Sequence, residues 1–181
     1  MTISIAVSAR RVFTLAADLP AARAQFRNFR QTLRYLPALR LVKTHAPDQY
    51  RILYSAAQAG VYRVNLYSDI QARFDEAEDT FYVTPLNGFP AAASKATLVS
   101  LTGQGDYSSR LRLSTAGERT NAEYEVRIRA TLPKPVGLKL IPDAAVRLLI
   151  ERVVRRRVQE IADEFIRRSA EALVAQRRNP G

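Results

Sequence analysis

Residues 39–132 carry Val, Ile, Thr and Tyr in period-two alternation and show no convincing helical stripe. So long a run without a helix to cross over between parallel strands predicts a series of antiparallel strands joined by short turns. The strands read as 39–44, 50–57, 62–74, 80–86, 97–114 and 120–132. Turn chemistry separates them at Ala46-Pro47-Asp48, Ala59-Gly60, the acidic Asp75-Glu76-Ala77-Glu78-Asp79, and Thr115-Ala116-Gly117-Glu118. The last strand is the clearest: Tyr124, Val126, Ile128, Ala130 and Leu132 share one face, and Glu123, Glu125, Arg127 and Arg129 share the other. One face is packed and the other wet. Gly103 and Gly105, inside the penultimate strand, read as a bulge or sharp bend.

The flanks of this sheet are helical. A first strand over 4–15, with Ile5, Val7, Ala9, Val12, Phe13 and Leu15 as its apolar set, leads to Asp18 and Pro20, a helix start signal. Ala22, Phe26, Phe29, Leu33 and Leu36 then form one helical stripe, ended by Pro37, on one helix or on two broken near Asn28. After Leu132-Pro133-Lys134-Pro135, Pro142 and Asp143 open a helix that runs to Arg177-Arg178, before Asn179-Pro180-Gly181. A helix over 143–177 would be about 52 Å long, so bending or a projecting end is expected. Its apolar arc of Val146, Leu149, Ile150, Val153 and Val154 rotates before Val158, Ile161, Phe165 and Leu173. A kink or a change of packing partner is expected at Arg155-Arg156-Arg157.

Cysteine is absent and histidine occurs once, which removes cysteine nucleophiles, zinc clusters and iron–sulfur centres from consideration. The 181 residues suit one domain, 1–181. No apolar run is long enough to span a bilayer and no signal-peptide block opens the chain, which reads as cytoplasmic. The net charge of +11 is uneven: residues 1–47 hold eight basic and one acidic residue.

The order of strand, short helical pair, strand meander and long last helix resembles the helix-grip, or START-like, superfamily of lipid-transfer domains, polyketide cyclases, coenzyme-Q-binding proteins and pollen allergens. The likeness rests on that order, on the opening SARRVFTLAADLPAARAQF and on the ending YEVRIRATLPKPVGLKLIPDAAVRLLIERVVRRRVQEIADEFI. Its exit from the sheet into a Pro-begun helix with an Arg run looks closest to uncharacterised bacterial and plastid members. The resemblance implies an α+β fold in which a curved antiparallel sheet of about seven strands wraps around the C-terminal helix. It also implies a cavity, usually apolar, between sheet and helix. Walls for it are available in Tyr54, Tyr62, Val64, Leu66, Tyr107, Leu111, Tyr124, Val126, Ile128, Val158, Ile161 and Phe165. Same-face apolar sets fit an open cavity and a core that fills itself equally well. The glycine-rich loop of the allergens has no counterpart here, and the acid–base residues of the cyclases find no match.

The expected function is therefore non-enzymatic binding or transport of an apolar or amphipathic small molecule of the lipid or isoprenoid class, without a cofactor. Two other readings stay open. One is an adaptor for anionic membrane or RNA: Arg23, Arg27, Arg30 and Arg34 repeat at helical spacing, and no acid occurs over 19–47. Its opposite is a solvated face, or one paired to acids such as those at 75–79. The other is a cyclase-like enzyme. His45, in a turn without a placed partner, reads as structural. Glu151–Arg155, Asp163–Arg167 and Glu164–Arg168 read as local helix pairs.

Overall fold

The computed structural model describes residues 2–37, 39–58, 62–97, 100–138 and 140–178, without the side chains of 56–58, 62, 177 and 178. The turn expected at Ala59-Gly60 and the final Asn179-Pro180-Gly181 lie outside the described residues. Along the chain come β1 (Thr2–Leu15), α1 (Leu19–Phe26), α2 (Phe29–Leu33), β2 (Leu39–Ala46), β3 (Gln49–Gln58) and β4 (Tyr62–Asp75). They are followed by β5 (Thr80–Pro85), β6 (Lys95–Ala96), β7 (Ser100–Ala116), β8 (Arg119–Pro133) and α3 (Asp143–Arg178). The fold is α+β, an open sheet in the order β1-β8-β7-β5-β4-β3-β2 with β6 beside β7. It has eight strands where about seven are expected, the extra one being the two-residue β6, too short to leave a periodic signal.

Alternation sets which residues face the core. In β8, Thr120, Ala122, Tyr124, Val126, Ile128, Ala130 and Leu132 are all buried. In β1 the inward phase runs from Ile3 through Ile5, Val7 and Ala9 to Leu15 without a break. Val12 therefore points outward, 71% exposed, against its expected place in the apolar set. Its neighbour Arg11 takes the inward phase and pairs with Asp163 of α3 at 2.7 Å.

Among the described residues every strand pairing but one is antiparallel. Because β5 is short, the first part of β7 passes its end and pairs in parallel with β4, Arg63 opposite Ser100 through Tyr67 opposite Gln104. Neither glycine of β7 marks a register shift: Gly105 lies in the unbroken register with β8 from Gln104 opposite Thr131 to Ala116 opposite Arg119, and Gly103 lies opposite Leu66 in the unbroken register with β4. They permit close approach instead. A Cβ on Gly103 would stand 2.6 Å from Leu132 Cδ2, and one on Gly105 would stand 2.8 Å from Ala130 Cβ and press on the Arg129 carbonyl. Gly105→Ala is expected to destabilise the fold by about 1–3 kcal/mol in urea unfolding, because the opposing atoms are strand backbone that cannot rotate away. An unchanged midpoint would mean that β8 yields at no cost.

The segment between β1 and β2 is two helices. Asp18 caps α1, accepting from Ala21 N at 3.0 Å, with Pro20 in the first turn. Asn28 starts α2 by accepting from Arg30 N at 2.9 Å and Gln31 N at 3.3 Å, which is why the stripe breaks there.

The last helix runs as one element of 36 residues. What changes along it is the packing partner. From Val158 onward it is anchored in the core through Ile161, Ala162, Phe165, Ser169 and Leu173, all buried, and it lies closest to β1. Phe165 stacks on Tyr124 with ring centroids 4.4 Å apart and meets Phe26 of α1 at 5.9 Å. Gln25 of α1 donates to the Ser169 carbonyl at 2.9 Å. Before Arg155 the only fully buried side chain of the helix is Val146. Of the expected helix pairs, Glu164–Arg168 forms at 2.7 Å. Asp163 turns to Arg11 instead, and Arg167 bonds Glu164 and Glu171. Glu151 and Arg155 form no ion pair among the described residues.

Candidate functional site

Where the first half of α3 leaves the core, a cavity of about 330 Å³ opens between helix and sheet. Val64 of β4, Leu101 of β7 and Leu132 of β8 form its floor. Pro135, with Gly137 and Leu138 of the 3-10 turn over Val136–Leu138 that follows it, forms one wall, and Leu149, Ile150, Val153 and Val154 of α3 form the other. The rotated arc of α3 thus faces this groove, and the arc beyond it fills the core. The absent side chain at Gly103 is what lets Leu132 lie in the floor, since a methyl there would collide with it.

A lysine fixes the wall. Lys134 Nζ, almost fully buried, donates to the Ile141 carbonyl at 2.6 Å and to Asp143 Oδ1 at 2.8 Å. It ties the end of β8 to the first turn of α3, so the chain between them is held as a short closed loop beside the groove.

The expected cavity residues divide. Val64 lines the groove. Tyr54, Leu66, Tyr107, Leu111, Tyr124, Val126, Ile128, Val158, Ile161 and Phe165 pack with one another in the buried core. The side chain of Tyr62 lies outside the described residues. Within the core, the Tyr107 and Tyr124 hydroxyls bond each other at 3.2 Å. Burial pushes both above the ordinary phenol value, Tyr124 well above it, so the pair stays neutral. Their polar ends are satisfied internally.

The arginine series is mostly paired. Arg23 bonds Asp79 at 2.7 Å and Arg27 bonds Glu76 at 2.8 Å, both acids of the 75–79 turn. Arg30 donates to Thr44 Oγ1 at 3.1 Å. Arg34 is exposed and has no ion-pair partner among the described residues. The break at Asn28 also splits the series between two helices.

On the outer face of the sheet lies a cluster the sequence does not announce. His45 falls at a register shift near the end of β2, not in a turn, and its Nε2 stands 2.8 Å from Asp69 Oδ1. Arg51 grips the same carboxylate with Nε at 2.8 Å and NH2 at 2.7 Å. Residues 86–94 fold over it: Phe89 stacks on His45 at 3.8 Å, the Pro90 carbonyl accepts from Arg51 at 2.6 Å, and Ala92 N donates to Gln104 Oε1 at 2.6 Å. Burial pushes the Asp69 carboxyl up, but the hydrogen bonds and charges of Arg51 and His45 outweigh it and hold the group below the ordinary carboxylate value.

No family model matches the chain, and no curated protein matches it in sequence. Solved structures do. A conserved protein of Geobacillus kaustophilus superposes with a TM-score of 0.58 at 10% identity, over 94% of this chain and 97% of that one. A protein of Deinococcus radiodurans gives 0.54 at 14% identity, over 93% and 99%. The di-domain aromatase/cyclase StfQ of the steffimycin biosynthetic pathway gives 0.52 at 12% identity, over 95% of this chain and 51% of StfQ. The chain shares the fold of these proteins, the helix-grip, in which an antiparallel sheet packs on a long last helix. In this helix-grip chain the grip is closed along the second half of α3 and open along the first. On the helix, Leu149, Ile150, Val153 and Val154 stand in the sequence as an apolar arc, but the residues expected to close the cavity are Val158, Ile161 and Phe165 of the next arc, which lie in the core. Leu101, Pro135, Gly137 and Leu138 carried no periodic signal, because they line it from a strand start and a turn.

Proposed function

We propose that the protein, as one helix-grip domain, binds an apolar small molecule of the lipid or isoprenoid class in the groove between the first half of α3 and the sheet. One observation carries this reading: all ten described lining residues, from Val64 to Val154, are hydrocarbon in their side chains or lack one. A space of about 330 Å³ with such walls favours a guest that needs no polar partner, since a polar group placed there would lose its hydration without compensation. None of these side chains can donate a proton, accept one or attack a carbon, so the function proposed is binding and not chemistry.

The uncharged fluorophore 1,6-diphenylhexatriene tests it. Wild-type protein is expected to bind the probe and to release it in competition with a long-chain hydrocarbon or isoprenoid. Val153→Arg, which sets a cation in the wall, and Ile150→Trp, which fills the space, are each expected to weaken binding at least about tenfold. Both positions are only half-buried, so the thermal midpoint should move little. A wild-type protein that leaves the probe in solution, or variants that bind it equally well, would remove the groove as a ligand site.

A further inference from the structure

Among the described residues, seven large apolar side chains are well exposed: Val12, Val42, Leu140, Ile141, Leu148, Leu149 and Val174. Four of the seven fall within residues 140–149. Leu140 is fully exposed, next to Ile141 whose carbonyl Lys134 holds, and Leu149 also lines the groove, so the patch is continuous with the groove mouth. Scattered exposed leucines need no explanation, but a cluster fixed on a tethered loop and a helix start marks a contact surface.

The charge around the patch selects the partner. Arg152 and Arg155 lie one and two turns beyond Leu148, within about 40° of it around the helix, and Arg147 precedes it. Arg147, Arg152 and Arg155 are exposed and have no ion-pair partner among the described residues. Of the two acids nearby, Asp143 is already neutralised by Lys134, which leaves Glu151 alone. Like charges around the patch oppose a second copy of this chain. Hydrocarbon side chains beside unpaired guanidiniums match a bilayer surface, where leucines enter the acyl boundary and arginines meet lipid phosphates.

We propose that this end of the molecule docks on anionic phospholipid membrane, with Leu140, Ile141, Leu148 and Leu149 immersed and the groove mouth turned to the lipid. The purpose of that orientation, transfer of an apolar guest between bilayer and groove, rests on the reading of the groove given above; the docking itself rests on the exposed side chains and the charge.

Co-sedimentation with vesicles of equal phosphatidylglycerol and phosphatidylcholine, against phosphatidylcholine alone, tests it in about 0.1 M salt. Wild-type protein is expected to pellet with the anionic vesicles only. The double variant Leu140→Asp, Leu148→Asp and the triple variant Arg147→Gln, Arg152→Gln, Arg155→Gln are each expected to lose at least about tenfold in vesicle affinity. Leu140, Leu148 and the three arginines lie outside the groove lining, so diphenylhexatriene binding and the circular dichroism spectrum should be unchanged, which shows that the variants fold. Wild-type protein that ignores anionic vesicles, or variants that pellet as wild type does, overturn the proposal. Self-association abolished by the leucine variants, or retention on RNA without vesicle binding, overturns it in favour of those partners. Vesicle binding that survives while wild type fails to take up diphenylhexatriene supports docking and removes only the groove reading.

Discussion

Phe165→Ala is expected to lower the stability of the fold by about 4 kcal/mol, visible as a fall of roughly 10 °C in Tm. Phe165 is 1% exposed and sits where three elements meet, against Tyr124 of β8 on one side and Phe26 of α1 on the other. Truncating it removes the ring contacts and leaves a void that no flexible neighbour can fill, because Tyr124 is held through its hydroxyl by Tyr107. The groove is lined by other residues, so the folded fraction of the variant should still bind diphenylhexatriene. A loss below about 1 kcal/mol would mean that the second half of α3 is not what clamps helix to sheet.

Asp69→Ala should cost about 3 kcal/mol, for a different reason. The Asp69 carboxylate is 1% exposed and is the shared acceptor for Arg51 and His45; without it a half-covered guanidinium is left facing no opposite charge. The pH dependence follows from the direction of its pKa. The folded value lies below the ordinary one, so the stabilisation is fully present above the usual carboxylate range, near pH 4, and is lost as pH falls through the folded value. Urea unfolding of wild type from pH 7 down to pH 2 should show that decline, and Asp69→Ala should flatten it. An equal slope in both proteins would show that other carboxylates carry the acid sensitivity.

What the chain declares about itself depends on how far the deciding partner lies in sequence. The two faces of β8 can be read because each residue's neighbours two places away report the same face. The break at Asn28 is local too, yet the same side chain suits a helix interior and a cap, so only the backbone settles it. Arg23 and Arg27 look like a free basic series until the turn at 75–79 is folded against them, some fifty residues away in sequence. His45 and Asp69 sit in different strands with nothing between them to signal the meeting. For the groove, apolar faces indicate what is turned inward and say nothing of whether inward space is occupied. That was decided by the drift of the α3 arc at Arg155-Arg156-Arg157, which sends Val158 into the core and leaves Val153 and Val154 at its margin.

The pairing of β1 with β8 fixes an order of events in the life of the chain. Thr2 is opposite Pro133 and Leu15 is opposite Thr120, so β1 leaves the ribosome with no partner until more than a hundred further residues have been made. The helix that lies along β1 is made later still. Such distant contacts put folding in the millisecond-to-second range. Until β8 is made, Ile3, Ile5 and Val7 form a bare apolar row, a segment left open to a chaperone or to a wrong partner for longer than any other strand of the sheet.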